Sequence, residues 1–164
     1  MHPDPREVAV RLAQFEAACR AEGVKLTHQR LVIFRAVAST VEHPDVEMIY
    51  LAVRKELPTI SLDTVYRTLW MLHELGLVAT LGAPRGRLQF DANMRPHHHF
   101  VCSRCGLTRD VYCDPYDHLA PPADADQWGE VETIRVELRG VCRSCREAAA
   151  PEPPRDNDVG SERG

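Results

Sequence analysis

Ser61-Leu62-Asp63-Thr64-Val65-Tyr66-Arg67-Thr68-Leu69-Trp70-Met71-Leu72-His73-Glu74-Leu75-Gly76, followed at once by Leu77-Val78-Ala79-Thr80-Leu81, decides the fold. The first part has helical spacing. Leu62, Val65, Leu69 and Leu72 share one face, Ser61 can cap the start, and Gly76 can end the run. Thr64, Tyr66, Arg67 and Trp70 lie elsewhere on that helix. The second part reads as a strand, then Gly82 to Gly86 as a turn and Arg87-Leu88-Gln89-Phe90 as a second strand. A helix running into a β-hairpin, with more helices upstream, is the element order of a winged helix-turn-helix.

The upstream helices carry their own punctuation. Asp4, Pro5 and Glu7 suit a helix start, Val8, Leu12, Phe15 and Cys19 follow at helical spacing, and Gly23 stops the run. Thr27 can cap a second helix bearing Leu31, Phe34 and Val37. Asp45 can cap a third through Val46, Ile49, Tyr50 and Val53, ending near Pro58. After residue 96 the pattern changes. His99 to Cys102 and Leu107 to Tyr112 look like strands flanking a turn, and Val131 to Val141 alternates as a third strand broken by Gly140. Residues 114–127 read as a Pro- and Asp-rich loop or one short helix, and residues 151–164 as a disordered tail.

The chain has 164 residues and a net charge of −4, and no run of about 20 apolar residues that could span a membrane. Its start lacks the apolar core of a secretory signal, which places it in the cytoplasm. There, its six cysteines read as metal ligands before disulfides. Residues 1–90 carry 11 Lys and Arg against 10 Asp and Glu, whereas residues 91–164 carry 9 against 14. Contact with nucleic acid therefore belongs to the first half and needs local placement of its basic groups.

Cys102-Ser-Arg-Cys105 and Cys142-Arg-Ser-Cys145 are two Cys-x-x-Cys turns. Together they supply four thiolates, a closed tetrahedral zinc site whose role is folding and not catalysis. Cys19 reads as core, and Cys113 has no assigned role. A second donor set has harder chemistry: Asp91, His97, His99 and Asp110, with His43 before the third helix able to close it. In a strand His97 and His99 point one way and His98 the other, so a metal can take the outer two. Three imidazoles and two carboxylates suit Fe(II), Mn(II) or Zn(II).

With those residues in place, the chain resembles the ferric uptake regulator (Fur) family of bacterial metal-dependent repressors, over about residues 20–147. Leu26-Thr27-His28-Gln29-Arg30, Ile60-Ser61-Leu62-Asp63-Thr64-Val65-Tyr66-Arg67-Thr68-Leu69, Glu74-Leu75-Gly76-Leu77-Val78, and Phe90-Asp91 with His97-x-His99-Phe100-x-Cys102-x-x-Cys105-Gly106 occur in the family's order. The resemblance implies an α+β protein. Residues 1–90 would form an N-terminal winged helix-turn-helix DNA-binding domain and 91–150 a C-terminal α/β dimerisation domain with the structural four-cysteine zinc. It also implies a homodimer on A·T-rich palindromic double-stranded DNA. By position, Tyr66 and Arg67 would meet the major groove and backbone, Thr64 would lie on the same DNA-binding helix, and Lys25 would sit near the minor groove.

Peroxide-responsive (PerR-like) members of the family use three histidines and two aspartates in the regulatory site. His43, Asp91, His97, His99 and Asp110 match that set. Iron-responsive members usually have Glu at the position of Asp91, and often add a site with a histidine in the third strand, which this chain lacks. The resemblance therefore implies a repressor, not an enzyme, in which Fe(II) and peroxide oxidise His43 or His97 and release the operator. The competing readings are an iron-responsive uptake repressor, a metallohydrolase using the His/Asp set, and a plain zinc-ribbon module.

Overall fold

The computed structural model describes residues 3–82 and 88–148. The expected hairpin turn after Gly82, Arg87 and the tail at 151–164 lie outside the described residues. Four helices come first: α1 (Pro5–Ala21), α2 (His28–Ala38), α3 (Val46–Arg54) and α4 (Leu62–Glu74). Each starts on the expected cap. Asp4 accepts from the Arg6 N–H at 2.8 Å, Thr27 from Arg30 at 3.3 Å, Asp45 from Met48 at 2.8 Å and Ser61 from Thr64 at 3.1 Å. Each such cap is worth about 1 kcal/mol. Glu7, expected to reach back to its own helix start, instead meets Arg95, Nη1 to Oε1 2.9 Å.

The four helices close over one core. Phe15 and Cys19 of α1, Ile33, Phe34 and Val37 of α2, Ile49 and Val53 of α3, and Val65, Leu69 and Leu72 of α4 are buried together. The Phe15 and Phe34 rings stack with centroids 4.9 Å apart. Removing one such side chain from water contributes roughly 1.5–3 kcal/mol. Leu62 departs from expectation, being 43% exposed, and Thr68 is buried in its stead. The apolar stripe of α4 starts at Val65 and runs through positions i, i+3, i+4 and i+7; Leu62 lies at the helix entry, before that stripe begins.

The hairpin is β1 (Ala79–Gly82) paired antiparallel with β2 (Leu88–Asp91), Ala79 opposite Asp91. β1 begins two residues later than expected, because Leu77 and Val78 are buried in the helical core. The Phe90 N–H donates to the Pro44 carbonyl at 3.0 Å, and Asp45 bridges Gln89. These bonds tie β2 to the loop that carries His43.

The second sheet has the order β4-β3-β5, built from β3 (His98–Cys102), β4 (Thr108–Val111) and β5 (Glu137–Gly140). β3 runs antiparallel to β4 and parallel to β5. Two short helices, α5 (Asp114–Asp117) and α6 (Arg143–Glu147), flank it. The third strand is much shorter than the alternation from Val131 predicts. In the parallel register, His99 opposite Glu137, residues 131–136 would face residues 93–98, and of those only His98 belongs to β3. The alternation is present but no described strand lies beside it. β5 ends at Gly140, where a Cβ would stand 3.1 Å from the Phe100 ring. No helix among the described residues is long and apolar enough to cross a membrane.

Candidate metal centres

The β3–β5 pairing assembles the sulfur cluster. Cys102 ends β3 opposite Gly140 of β5, two residues before Cys142. Gly106, with φ +77°, turns the chain back from Cys105 into β4, its N–H on the Cys102 carbonyl at 2.9 Å. The Arg104 guanidinium donates to the Cys145 carbonyl at 2.9 Å, docking α6 on that turn. One sulfur from each of Cys102, Cys105, Cys142 and Cys145 lies within 4.8 Å of the others. Cys105 and Cys142 Sγ are 3.7 Å apart. Four sulfurs about 2.3 Å from a shared zinc stand about 3.8 Å from one another, so the spacing fits zinc, and no disulfide has formed. The Cys142 N–H donates to Cys102 Sγ at 3.3 Å. That bond, with the N–H groups of Cys105 and Arg104, pulls the Cys102 thiol down to about 6. Cys145, sharing protons with Cys142 and Cys105, is pushed up to about 12. Cys113 lies apart, half-buried at the start of α5, and Cys19 is in the helical core.

The nitrogen–oxygen cluster draws on both halves of the chain. His43 comes from the α2–α3 loop, Asp91 from the end of β2, His97 and His99 from the entry and body of β3, and Asp110 from β4, opposite His99. One donor atom of each lies within 4.8 Å of the rest. His43 Nε2 is 2.8 Å from Asp110 Oδ1 and 3.7 Å from Asp91 Oδ2. His97 Nε2 is 2.9 Å from both Asp91 Oδ2 and His99 Nε2. His99 Nε2 is 3.7 Å from Asp91 Oδ2 and 3.9 Å from Asp110 Oδ1. Donors about 2.1 Å from one ion lie about 3.0 Å apart at right angles and about 3.6 Å apart at 120°, so these separations match a shared ion. Asp91 Oδ2 and Asp110 Oδ1 are buried and meet only imidazole nitrogens, His97 Nε2 at 2.9 Å from the first and His43 Nε2 at 2.8 Å from the second. Buried carboxylate oxygens are costly unless protonated imidazoles or a metal cation meet them. The donor set therefore fits a divalent metal preferring nitrogen and oxygen.

The electrostatics are those of a cation site filled by protons. Burial alone would lower His43, but the close carboxylates of Asp110 and Asp91 outweigh it and raise it to about 9. His97 rises for the same reason, with Asp91 the main partner, despite its burial. Burial favours the neutral acids, yet the imidazoles of His43, His97 and His99 hold Asp91 far below the usual carboxylate range, and His43 and Asn93 lower Asp110. His43 has φ +48°, the left-handed region, directly before Pro44. A residue other than glycine held there costs of order 1–3 kcal/mol and marks a place where geometry takes precedence over local comfort.

His98 points to the other side of β3, its Nε2 3.1 Å from Asp117 Oδ1, as the strand alternation requires. Two residues, Asn93 and its partner Tyr112, were not anticipated from sequence. Asn93, 5% exposed, donates from Nδ2 to Asp110 Oδ2 and to Tyr112 Oη, both at 2.8 Å, and its N–H donates to Asp91 Oδ1 at 2.7 Å. An Asn in a linker carries no chemical signature; only its position two residues after Asp91, where a carboxylate can take the N–H of residue i+2, hints at it.

The residues assigned to DNA divide into two places. Lys25, Thr64 and Arg67 line one open depression of about 370 Å³ between the α1–α2 linker and the start of α4. Arg67 forms an exposed 2.8 Å ion pair with Asp63. Tyr66 faces away, over Val46, Leu88 and Phe90, its ring 6.1 Å from that of Trp70. The structure thus brings Lys25, Thr64 and Arg67 together and sets Tyr66 apart.

Comparison with known proteins agrees with this architecture. The model of the ferric uptake regulator family matches residues 21–139. A peroxide-responsive repressor, PerR, of Staphylococcus epidermidis is 33% identical over 131 residues, 80% of this chain and 87% of that one. The Campylobacter jejuni peroxide stress regulator superposes with a TM-score of 0.61 at 28% identity, over 77% of this chain and 95% of that one. The Helicobacter pylori ferric uptake regulator Fur gives 0.67 at 17% identity, over 87% and 96%, a likeness of fold. On the family match and the PerR identity together, the chain belongs to the ferric uptake regulator family.

Proposed function

We propose that this chain is a metal-dependent, DNA-binding transcriptional repressor that senses peroxide, working in the cytoplasm as a homodimer on A·T-rich palindromic double-stranded DNA. The observation that carries the reading is the five-donor cluster of His43, Asp91, His97, His99 and Asp110, which draws His43 from the helical half against ligands on β2, β3 and β4. The name of the staphylococcal relative supports the peroxide response. Residues 1–90 act as the reading domain and 91–150 as the pairing domain. Cys102, Cys105, Cys142 and Cys145 hold Zn(II), and the His/Asp set holds Fe(II) or Mn(II).

Fe(II), when bound, supplies the one-electron reducing chemistry that activates peroxide beside its ligands. The chain does the rest. Asp91 and Asp110 hold negative charge in a buried place, and His43 is the tether between the two halves. His43 and His97 are the side chains exposed to oxidation. An oxidised imidazole is a poorer donor, so the tether loosens and the arrangement of Lys25, Thr64, Tyr66 and Arg67 relative to a duplex is no longer fixed.

A duplex selected from a random library with Mn(II)-loaded protein provides the test. Fe(II)-loaded and Mn(II)-loaded proteins should both bind it. Peroxide should abolish binding of the Fe(II) form alone, with an added oxygen mass on the His43 or His97 peptide. Binding that requires metal but ignores peroxide would instead select an iron-responsive uptake repressor. Hydrolysis of ester or phosphoester substrates without DNA binding would select a metallohydrolase.

A further inference from the structure

The two carboxylates of the nitrogen–oxygen cluster are each split between two tasks. Asp91 turns Oδ2 into the cluster, toward His97 Nε2 at 2.9 Å, while its Oδ1 accepts the Asn93 N–H at 2.7 Å. Asp110 turns Oδ1 in toward His43 Nε2 at 2.8 Å, while its Oδ2 accepts from Asn93 Nδ2 at 2.8 Å and from the Tyr112 hydroxyl at 3.3 Å. Among the described residues, Asn93 is thus the one that holds the outer oxygens of both acids. Its amide is fully engaged: Nδ2 donates to Asp110 and to Tyr112, and Oδ1 accepts the Arg95 N–H at 3.4 Å. The reverse orientation of the amide would press its carbonyl oxygen on a carboxylate, so the network itself fixes which atom is nitrogen.

A carboxylate can meet a cation through one oxygen or two. A free acid beside a divalent ion can rotate to offer both, and each added oxygen occupies a coordination position. We propose that Asn93 is a positioning residue that restricts Asp91 and Asp110 to one oxygen each, so that the cluster offers five donors and leaves one position open to a small ligand. Tyr112 is the auxiliary tether on Asp110. The inference rests on the reading of the cluster as a metal site and concerns what that site leaves unfilled. Neither residue touches the ion; both act through the acids, as outer partners of ligating groups commonly do.

The test uses full-length protein with zinc retained in the sulfur cluster and Co(II) added as the probe. Five-coordinate Co(II) lacks a centre of symmetry and absorbs visible light more strongly than six-coordinate Co(II). The wild type should give the strong band. Asn93→Ala should give a several-fold weaker one, with an affinity for Mn(II) lower by about tenfold. In an Asp110→Ala background, Asn93→Ala should change the band much less, because the acid it acts through is gone; a purely structural role would show the same change in both backgrounds. Should Asn93→Ala fail to fold, Tyr112→Phe decides, since Tyr112 is 66% exposed and its loss spares the core: the band should weaken in the same direction by a smaller amount. A wild-type band in a folded Asn93→Ala protein, or in Tyr112→Phe where that variant decides, overturns the inference and leaves the metal reading standing. Wild-type protein that takes up no Co(II) beside its zinc overturns both.

Discussion

The sulfur cluster and the nitrogen–oxygen cluster sit at opposite ends of β3 and differ in what they connect. The four sulfurs come from elements within one sheet and its flanking turn and helix, Cys102 and Cys105 after β3, Cys142 and Cys145 after β5. The five harder donors come from a helical loop, the hairpin and the second sheet. A closed thiolate set with no spare position suits permanence. An imidazole and carboxylate set that bridges separate elements suits an ion that comes and goes, because its occupancy can change how those elements sit. On the proposed function, one strand carries a fixed anchor at one end and an exchangeable one at the other.

The largest expected effect is removal of the anchor. Structural zinc supplies about 10–16 kcal/mol of apparent binding free energy in small domains, comparable with the whole stability of a protein this size. Cys142→Ser should lose stoichiometric zinc and the protection of β3 and β5 amides from exchange. It should also lose Mn(II) binding, because His99 and Asp110 pair across that sheet. Metal analysis and hydrogen exchange check it; a variant that keeps Mn(II) affinity without zinc would show that the two clusters are independent.

Next in size is loss of one donor from the exchangeable site. Asp91 lies between His97 at 2.9 Å and His43 and His99 at 3.7 Å. Asp91→Ala should weaken Mn(II) by about 100-fold or more, since even outer partners of ligands contribute 10–100-fold. Zinc content should stay as in the wild type, while melting at neutral pH should fall because the contacts of Asp91 with His97 and the Asn93 N–H are lost. A fall in zinc content would break the division between anchor and switch.

Acidity sharpens the same contrast. In the metal-free protein His43 is raised from 6.5 to about 9, so its contacts with Asp110 and Asp91 stabilise the fold fully below about pH 6.5 and that contribution is lost as pH climbs through 9. Metal binding runs the other way, because the ion must displace the proton. Mn(II) affinity should rise by up to about tenfold per pH unit between pH 6.5 and 9 as His43 gives up its proton, and flatten above that range. Titrations in buffers of different ionisation enthalpy would count the protons released. Affinity that is flat from pH 6.5 to 9 would show that His43 is not a ligand.

Much of this was legible in the residues because the signals are local. Asp4, Thr27, Asp45 and Ser61 each cap the helix they precede, and a cap needs only the next three residues to be recognised. The two donor clusters were legible because thiolates at Cys-x-x-Cys spacing, and His97 and His99 on one side of a strand, point to metals on their own. Leu62 and residues 131–136 were misread because periodicity reports which face is apolar and not where the packing partner ends. The division of Lys25, Thr64 and Arg67 from Tyr66 follows from helical geometry, since Arg67 is three positions from Thr64 and Tyr66 only two. Asn93 escaped notice because its role exists only once β2, β3 and β4 have brought two acids to either side of it.

The smallest effect tests whether the sheet transmits strain from the anchor to the switch. A methyl group at Gly140 would meet the Phe100 ring at 3.1 Å, on the strand that delivers Cys142. Crowding of this kind costs about 1–3 kcal/mol, or a melting point lower by several degrees for a chain of this length. Phe100 is the neighbour of His99, but its strand is held on the far side by β4, where His99 faces Asp110. Gly140→Ala should therefore lower the melting point while leaving Mn(II) affinity at neutral pH within about twofold, the size of a change well under 1 kcal/mol. A parallel fall in both would mean that β3 passes displacement from one end to the other. The anchor would then set the affinity of the switch by degree, and the separation of roles along the strand would be one of chemistry alone.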